Sequence, residues 1–227
     1  MEFEDRVPFA ARLESADRKA LMDHGNKMVF PARHVLLREH EPSTHVLVLL
    51  SGWTKVTSAS ANGYEALLAL RGPGDIVGEA ATLSGRVRAA TVTALSATEA
   101  LAIDSAAFAG LLDARPALTR QLLALTADRT RDSDRRRVQF AALNVQERLA
   151  LLLLELLHTH GRSTDEGTHV FPGLTQSELA GSVGASREAV ARLLKGLRER
   201  GIVRTERRGI TVLRPDVLRK MAGRADG

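Results

Sequence analysis

The chain has 227 residues, of which 44% are hydrophobic and 4% aromatic, and its formal net charge is +5. This length and composition predict one or two globular domains with mainly aliphatic cores. The absence of cysteine excludes disulfides, iron–sulfur clusters and thiolate metal sites. The longest apolar run, residues 149–154, is too short to span a bilayer, and residues 1–5 show no signal-peptide core. We therefore expect a cytoplasmic protein without membrane association.

The excess positive charge lies in the last third of the chain. Residues 1–145 contain 18 basic and 17 acidic side chains, whereas residues 146–227 contain 14 and 10. A basic module favours a polyanionic partner such as nucleic acid. A solvated, arginine-rich surface explains the same charge equally well, so charge alone does not identify the partner.

Residues 29–103 contain short strand-like runs separated by turns. Asn62-Gly63 predicts a hairpin, because both residues tolerate positive φ, and residues 72–75 predict another turn. Many short strands at regular spacing are typical of a sandwich, roll or barrel. We therefore expect a β domain in this half of the chain.

Helical patterns follow the strands. Residues 105–112 predict a short helix, and Pro116 suits the first turn of a long helix that ends near residue 143. The second half of the long helix, residues 128–137, is crowded with charges. That half can be a solvated face, a surface that packs on a partner, or a linker, and a helix bridging two domains fits best. An apolar helix at residues 145–157 and a polar loop at residues 161–167 come next.

A helix-turn-helix is predicted near the C-terminus. Thr175 and Glu178 form a capping-box pattern, and Ser186 can cap a second helix after a turn at Gly184. The second helix carries one apolar stripe with the spacing i, i+3, i+4, i+7, at Val190, Leu193, Leu194 and Leu197. A helical hairpin with ordinary surface arginines is the alternative, and the ordered cap, turn, stripe and following strands make it the weaker one.

Base-reading side chains are predicted on the second helix of this motif. Arg187, Glu188 and Arg192 lie away from the apolar stripe, near the end of the helix that enters the major groove. Arginine can bond guanine O6 and N7, and glutamate can accept from cytosine N4. Two strand-like runs then suggest a wing, whose tip residues Arg207 and Arg208 are placed for phosphate.

These residues resemble the cyclic-AMP receptor protein/FNR (Crp/Fnr) family of regulators. Residues 183–192 read Val-Gly-Ala-Ser-Arg-Glu-Ala-Val-Ala-Arg, which is close to that family's recognition motif, and the resemblance extends from about residue 29 to residue 213. It implies recognition of palindromic double-stranded DNA with TGTGA-like half-sites. The DNA-binding residues it implies are Thr175, Gln176, Ser186, Arg187, Glu188, Arg192, Lys195, Arg207 and Arg208.

A second segment resembles the phosphate-binding cassette of cyclic-nucleotide domains. Residues 78–92 read Gly-Glu-Ala-Ala-Thr-Leu-Ser-Gly-Arg-Val-Arg-Ala-Ala-Thr-Val. A buried Arg88 would pair with a phosphate, and amides near Ala80 and Ala89 would add donors. Glu79, which follows Gly78, would accept from the ribose 2′-OH. The resemblance also implies that Ala89 favours cAMP over cGMP as the effector. A roll that has lost its ligand and holds a Glu79–Arg88 salt bridge is the alternative.

The long helix departs from the cAMP-responsive pattern at one place. In those relatives a Thr-Ser pair touches the adenine, and here Ser133-Asp134 stands at the equivalent position. Ser133 can donate or accept a hydrogen bond. Asp134 can accept from the adenine amino group of ligand in a neighbouring subunit, or it can reject the ligand. We assign both residues to the adenine.

The resemblance implies an α+β architecture in three parts. We expect a jelly-roll-like, cyclic-nucleotide-binding β-roll at residues 1–115, a long dimerisation helix at residues 116–143, and a winged helix-turn-helix at residues 144–227. A homodimer is implied because the long helix needs a partner and palindromic operators match two-fold symmetry. Activation would depend on contacts with RNA polymerase, for which the sequence has no readable motif.

Three hypotheses of function remain at this stage. The first is a transcription regulator gated by cAMP, and the second is a constitutive regulator that binds DNA without an effector or with another small molecule. The third is a β-barrel enzyme such as a metal-dependent cupin, which needs clustered His and carboxylate ligands. The seven histidines form no such cluster and no haem-attachment motif, and no nucleophile elbow, P-loop or Rossmann fingerprint occurs. We therefore expect neither catalysis nor a metal site.

Overall fold

A computed structural model describes residues 7–165, 167–170, 174–206 and 209–223. The chain divides into two compact units, an N-terminal unit of residues 7–132 and a C-terminal unit that contains residues 133–227. The division falls inside the longest helix. Within the described ranges, no helix is both long and apolar enough to cross a membrane.

The N-terminal unit combines strands with helices at both of its ends. Its elements in chain order are a 3-10 helix at Phe9–Arg12, α1 (Ser15–Asp23), β1 (Asn26–Phe30), β2 (Val35–Leu37), β3 (His45–Ser51), β4 (Thr54–Ala59), β5 (Glu65–Arg71), β6 (Ile76–Val77), α2 (Glu79–Ser84), β7 (Thr91–Ala94), β8 (Thr98–Asp104), α3 (Ser105–Ala114) and the long helix α4 (Pro116–Ala142). The expected β-roll and long helix are therefore confirmed.

Two antiparallel four-stranded sheets form the roll, with the orders β1-β8-β3-β6 and β2-β7-β4-β5. Strand β3 is apolar on both faces. Its Val46 and Val48 belong to one core cluster, and its Leu47 and Leu49 belong to a second one, because successive side chains point to opposite faces of a strand. The continuous apolar run in β3 thus reflects burial on both sides of its sheet.

The first half of α4 packs on the roll. Leu118, Leu122 and Leu125 recur at intervals of four and three residues, so they share one helix face, and each is at most 3% exposed in the first core cluster. Arg12 in the 3-10 helix donates to Asp128 on α4 at 2.7 Å. Burial of the leucine face therefore fixes the position of the charged residues of α4 that lie in the same unit, up to residue 132.

The C-terminal unit contains helices and a small antiparallel sheet with the order β11-β12-β10-β9. Besides the end of α4, its elements are α5 (Val145–His160), β9 (Gly161–Thr164), β10 (Gly167–Val170), α6 (Gln176–Val183), α7 (Arg187–Glu199), β11 (Val203–Glu206), β12 (Gly209–Val212) and α8 (Pro215–Met221). The predicted loop at residues 161–167 is wrong, since β9 pairs with β10. All four β9 residues are exposed, so the sequence shows no alternation of apolar and polar residues here.

Candidate functional site

A glycine with positive φ opens the cassette in the N-terminal unit. Gly78 precedes α2 with φ of 87°, a conformation that costs glycine little and other residues more. A Cβ atom at this position would lie 2.5 Å from Nη1 of Arg88. Gly78 therefore allows the guanidinium of Arg88 to approach the start of α2.

Arg88 is held in one position by backbone groups. The residue is 4% exposed, and its guanidinium donates to the carbonyl oxygens of Gly78, at 2.7 Å, and His45. Its backbone amide donates to Glu41 O and its carbonyl accepts from His40 N–H, both at 2.9 Å. Because side chain and backbone are both fixed, the cation is preorganised before any ligand arrives.

The charge of Arg88 is compensated only in part. Among the described carboxylates, none lies within ion-pair distance of its guanidinium. The guanidinium donates to backbone carbonyl groups, which are dipoles without a net charge. Burial lowers the pKa of Arg88 from its usual value, and the nearby carboxylates of Glu79 and Glu41 oppose that shift. A buried cation without a paired anion is costly, so an anionic group placed here would be stabilised.

Glu79 is engaged by an arginine that the sequence analysis did not single out. Its carboxylate is 6% exposed and forms an ion pair with Arg129 of α4, and Arg129 also donates from Nη2 to Ile76 O at 2.8 Å. The Glu79–Arg88 salt bridge considered from the sequence is not formed. The Nε atom of Arg129 is buried without a hydrogen-bond partner among the described groups. The contact joins residues that are 50 positions apart in the chain. Arg129 is one of several arginines in the charged segment 128–137, and no sequence pattern distinguishes it from the others.

The other residues that were predicted to bind the ligand are all exposed, and they lie in different units. Ala80, the second residue of α2, and Ala89 are both exposed. Ser133 and Asp134 are also exposed, but they belong to the C-terminal unit, and Asp134 pairs with Arg137 one turn away at 3.1 Å. The structure therefore groups Gly78, Glu79 and Arg88, and the assignment of Ser133 and Asp134 to the adenine stays a prediction.

Two side-chain caps define the helix-turn-helix. The backbone amide of Glu178 donates to Thr175 Oγ1 at 3.2 Å, and the carboxylate of Glu178 accepts from the Thr175 amide at 2.8 Å. Gly184 ends α6 in the left-handed conformation with φ of 62°. Ser186 then caps α7 by accepting from the Ala189 amide at 3.1 Å. The predicted capping box, turn and second cap are confirmed.

The second helix, α7, separates a buried stripe from an exposed polar face. Val190, Leu194 and Leu197 are at most 3% exposed. The polar side chains that the sequence analysis assigned to DNA on this helix are all exposed, and they are Arg187, Glu188, Arg192 and Lys195. Gln176 on α6 is partly exposed.

Strands β11 and β12 form the predicted wing. Their register places Glu206 opposite Gly209, while the tip residues Arg207 and Arg208 lie outside the described residues. No group of three or more metal-ligating side chains occurs among the residues that the structure describes. The exposed basic face of α7 and the adjacent wing are therefore the candidate nucleic-acid interface.

Two family sequence models match the chain, one in each unit. Residues 27–115 match the cyclic nucleotide-binding domain, and residues 147–221 match the Crp-like helix-turn-helix domain. The two matches contain the Arg88 cassette and the α6–α7 motif, respectively. They therefore agree with the two candidate sites found from geometry.

Whole-chain relatives agree with these matches. The chain is 31% identical to a CRP-like cAMP-activated global transcriptional regulator of Mycobacterium tuberculosis, over 81% of this chain and 82% of the relative. It is 27% identical to the cAMP-activated global transcriptional regulator CRP of Haemophilus influenzae, over 92% and 95%. In fold it is similar to the c-di-GMP responsive global regulator CLP of Xanthomonas campestris, with a TM-score of 0.77 and 22% identity over 88% of this chain and 99% of the other.

Both of these sequence relatives are transcription regulators and not enzymes. The identity to the mycobacterial regulator extends over both units, so the assignment covers the chain as a whole and not one domain. The chain belongs to the Crp/Fnr family and is a DNA-binding transcription regulator with a cyclic nucleotide-binding domain.

Proposed function

We propose that cAMP binds the cassette of the N-terminal unit and controls DNA binding by this regulator. The observation that carries the proposal is the guanidinium of Arg88, which is buried, fixed by two carbonyls and without a described carboxylate partner. A cyclic phosphate supplies one negative charge and two exocyclic oxygens for a charge-assisted contact. The same nucleotide is named as the activator in the relatives from Mycobacterium tuberculosis and Haemophilus influenzae.

The remaining cassette residues have complementary roles in this proposal. The amides of Ala80 and Ala89 donate to the phosphate oxygens, and Gly78 leaves room for Arg88 beneath them. Glu79 accepts from the ribose 2′-OH while it remains paired with Arg129. A carboxylate has enough lone pairs to accept from both groups at once. The small side chain of Ala89 supports cAMP over cGMP.

The exposed face of α7 reads the DNA in this proposal. Arg187 and Arg192 bond guanines in the major groove, and Glu188 accepts from a cytosine amino group, as TGTGA-like half-sites require. Lys195 and Gln176 contact the sugar-phosphate backbone of the DNA, together with wing residues Arg207 and Arg208. Thr175 and Ser186 contact phosphate in this proposal. Because their hydroxyl oxygens already accept from backbone amides in the helix caps, they do so only with the hydrogen-bonding groups that the caps leave free.

We propose that the regulator is a homodimer that pairs through α4. Leu123 on this helix is 61% exposed, and Val138, on the same helix but within the C-terminal unit, is 66% exposed. Exposed apolar residues on a long helix favour pairing with a second helix. A two-fold dimer also matches a palindromic operator. Coupling then requires that cAMP bind the DNA-competent state more tightly than the other state.

The decisive experiment is a titration of a fluorescent palindromic duplex with TGTGA half-sites at one fixed salt concentration. It is performed without effector and with cAMP, cGMP or c-di-GMP. We expect cAMP to tighten binding at least tenfold, which corresponds to a coupling of about 1.4 kcal/mol or more. Tight binding that no nucleotide changes would contradict control by cAMP and leave the DNA-reading assignment intact.

A second candidate keeps the DNA binding and changes the effector. Asp134 carries a negative charge at the position that the resemblance assigns to the adenine, and its pairing with Arg137 supports an altered ligand or none. The c-di-GMP responsive regulator of Xanthomonas campestris has a similar fold. A response to c-di-GMP in the same titration would favour this candidate. In either case we place the regulator in the cytoplasm, with RNA polymerase as a partner in activation.

A further inference from the structure

A groove lies on the C-terminal unit among helices α5, α7 and α8. It has a volume of about 130 Å³, and its floor is apolar, with Leu149 and Leu197 at 1% and 3% exposure. Leu193 and Met221, both partly buried, extend the apolar lining. An engineered apolar cavity of about 150 Å³, slightly larger than this groove, binds benzene. The groove therefore has room for one aromatic ring.

Gly196 keeps this groove open. It lies inside α7, where glycine costs about 1 kcal/mol relative to alanine. A Cβ atom at this position would meet nothing within 4 Å, and the residue does not have positive φ. Neither backbone conformation nor packing therefore requires a glycine here. What the missing side chain provides is space between α7 and its neighbours.

Two arginines give the groove a positive rim. Arg192 and Arg200 each lie four residues from Gly196, one helical turn on either side of it, and both are exposed. Within the part of the chain that the structure describes, neither guanidinium pairs with a carboxylate, and the lining contains no acidic residue. A planar guanidinium binds a carboxylate with a fork of two hydrogen bonds and stacks on aromatic rings.

We propose that this groove binds a small aromatic carboxylate, which competes with DNA for Arg192. The ring lies over Gly196 on the leucine floor, the carboxylate pairs with Arg192, and Arg200 stacks on the ring. The competition rests on the proposed function, because Arg192 is assigned there to a guanine. A guanidinium whose fork is occupied by a carboxylate cannot also bond guanine O6 and N7. The regulator thus has an input at its DNA-reading face that is independent of the cassette.

The site is tested on the free full-length protein by NMR titration with benzoate. We expect benzoate to shift the amide resonances of Gly196 and Leu197 with saturation. Sodium acetate, which lacks the ring, and benzyl alcohol, which lacks the charge, are expected to bind at least tenfold more weakly. Absence of saturable shifts at these residues would overturn the site, and so would equal binding of benzyl alcohol.

Two variants in the groove and one outside it complete the test. Gly196→Leu fills the groove and Arg200→Ala removes the stacking cation, and each is expected to weaken benzoate binding at least fivefold. Gly110→Leu is the matched control, because Gly110 also lies within a helix, α3, and its Cβ position also meets nothing within 4 Å. Benzoate binding that survives both groove variants in folded protein would overturn the assignment.

The competition is tested with the duplex at constant sodium concentration, because salt alone weakens DNA binding. At saturating benzoate we expect at least fivefold weaker binding of the TGTGA duplex than in the same concentration of acetate. Benzoate binding without this loss would overturn the competition. If the protein does not bind the duplex at all, the proposed function fails, and the NMR titration still decides whether the groove is a site.

Discussion

The carboxylate of Glu79 and the guanidinium of Arg129 form an ion pair that connects the cassette helix α2 to the long helix α4. Arg129 adds a second contact to the carbonyl of Ile76, the first residue of β6. One side chain of α4 is therefore bonded on both sides of Gly78, which lies between Ile76 and Glu79 in the chain. Any ligand that engages Glu79 acts directly on a group that α4 holds in place.

Arg129→Gln is expected to destabilise the N-terminal unit by roughly 3 kcal/mol, because it leaves Glu79 buried without its cationic partner. Urea unfolding of the full-length chain measures the loss. The double variant Glu79→Gln/Arg129→Gln is expected to recover part of it, which a double-mutant cycle quantifies. Arg120→Gln, an exposed arginine on the same helix, is the control. Equal destabilisation by Arg120→Gln would contradict the role of the pair.

Arg88→Gln is expected to abolish the effect of cAMP on DNA binding, because it removes the cation that we propose faces the phosphate while leaving α7 unchanged. Basal affinity for the duplex should stay within about twofold. Fluorescence titration with and without cAMP makes both measurements. Arg86→Gln, two residues away and exposed, should retain the full cAMP response. A cAMP effect that persists in folded Arg88→Gln protein would sink the assignment of the cassette.

Arg192→Ala is expected to cost roughly 1–3 kcal/mol on a TGTGA half-site and to relax base preference at that position. Arg208→Ala should instead weaken binding to all sequences alike and reduce the salt dependence by about one charge. Binding of both variants to specific and random duplexes at several salt concentrations separates the two effects. Equal losses on specific and random DNA for Arg192→Ala would contradict base reading by this side chain.

Binding of an anion at Arg88 is expected to raise the pKa of His45. In the free protein, burial lowers this pKa below 6.5, and the charge of Arg88 lowers it further against the opposing effect of Asp104. The unfolded chain then binds more protons than the folded chain, so the unfolding free energy falls as the pH drops below about 6.5. An NMR pH titration with and without cAMP measures the pKa of His45 in the liganded and in the free protein, and adenosine is the uncharged control. A pKa of His45 at or above 6.5 in the free protein would refute the prediction.

Ser186→Ala is expected to destabilise the C-terminal unit by about 1 kcal/mol, because α7 loses the hydroxyl that accepts from the Ala189 amide. Ser186→Asn should restore the stability, since asparagine caps equally well. Thermal unfolding measures the cap, and duplex binding by the two variants measures any phosphate contact of the hydroxyl. If Ser186→Asn is as unstable as Ser186→Ala, the cap does not contribute as the geometry implies.

The sequence predicted best where local chemistry determines structure. Caps at Thr175 and Ser186, the turn at Gly184 and the start of α4 at Pro116 each follow from one or two residues and their neighbours. The resemblance added the Gly78-Glu79 and Arg88 cassette, whose residues lie within one short segment. These predictions needed no knowledge of how distant parts of the chain meet.

Three features that depend on distant contacts were not predicted. Arg129 forms its ion pair only because the leucine face of α4 brings it to Glu79, 50 positions away in the chain. Strand β9 exists through its pairing with β10, while its own side chains are exposed. Helix α8 was not predicted, because it is short and its one fully buried side chain, Leu218, makes no apolar periodicity. Each of these elements is fixed by tertiary packing, which a single sequence does not display.

The close approach of Arg88 to Gly78 restricts how this regulator can be redesigned as a biosensor. Any side chain at position 78 would start 2.5 Å from the arginine and displace it, so saturation mutagenesis there would lose the proposed anion binding together with its selectivity. Positions 80 and 89, in the same cassette segment, carry exposed alanines. If Arg88 anchors a phosphate as proposed, a library that varies these two positions and keeps position 78 constant changes which base or sugar is accepted while that anchor is retained.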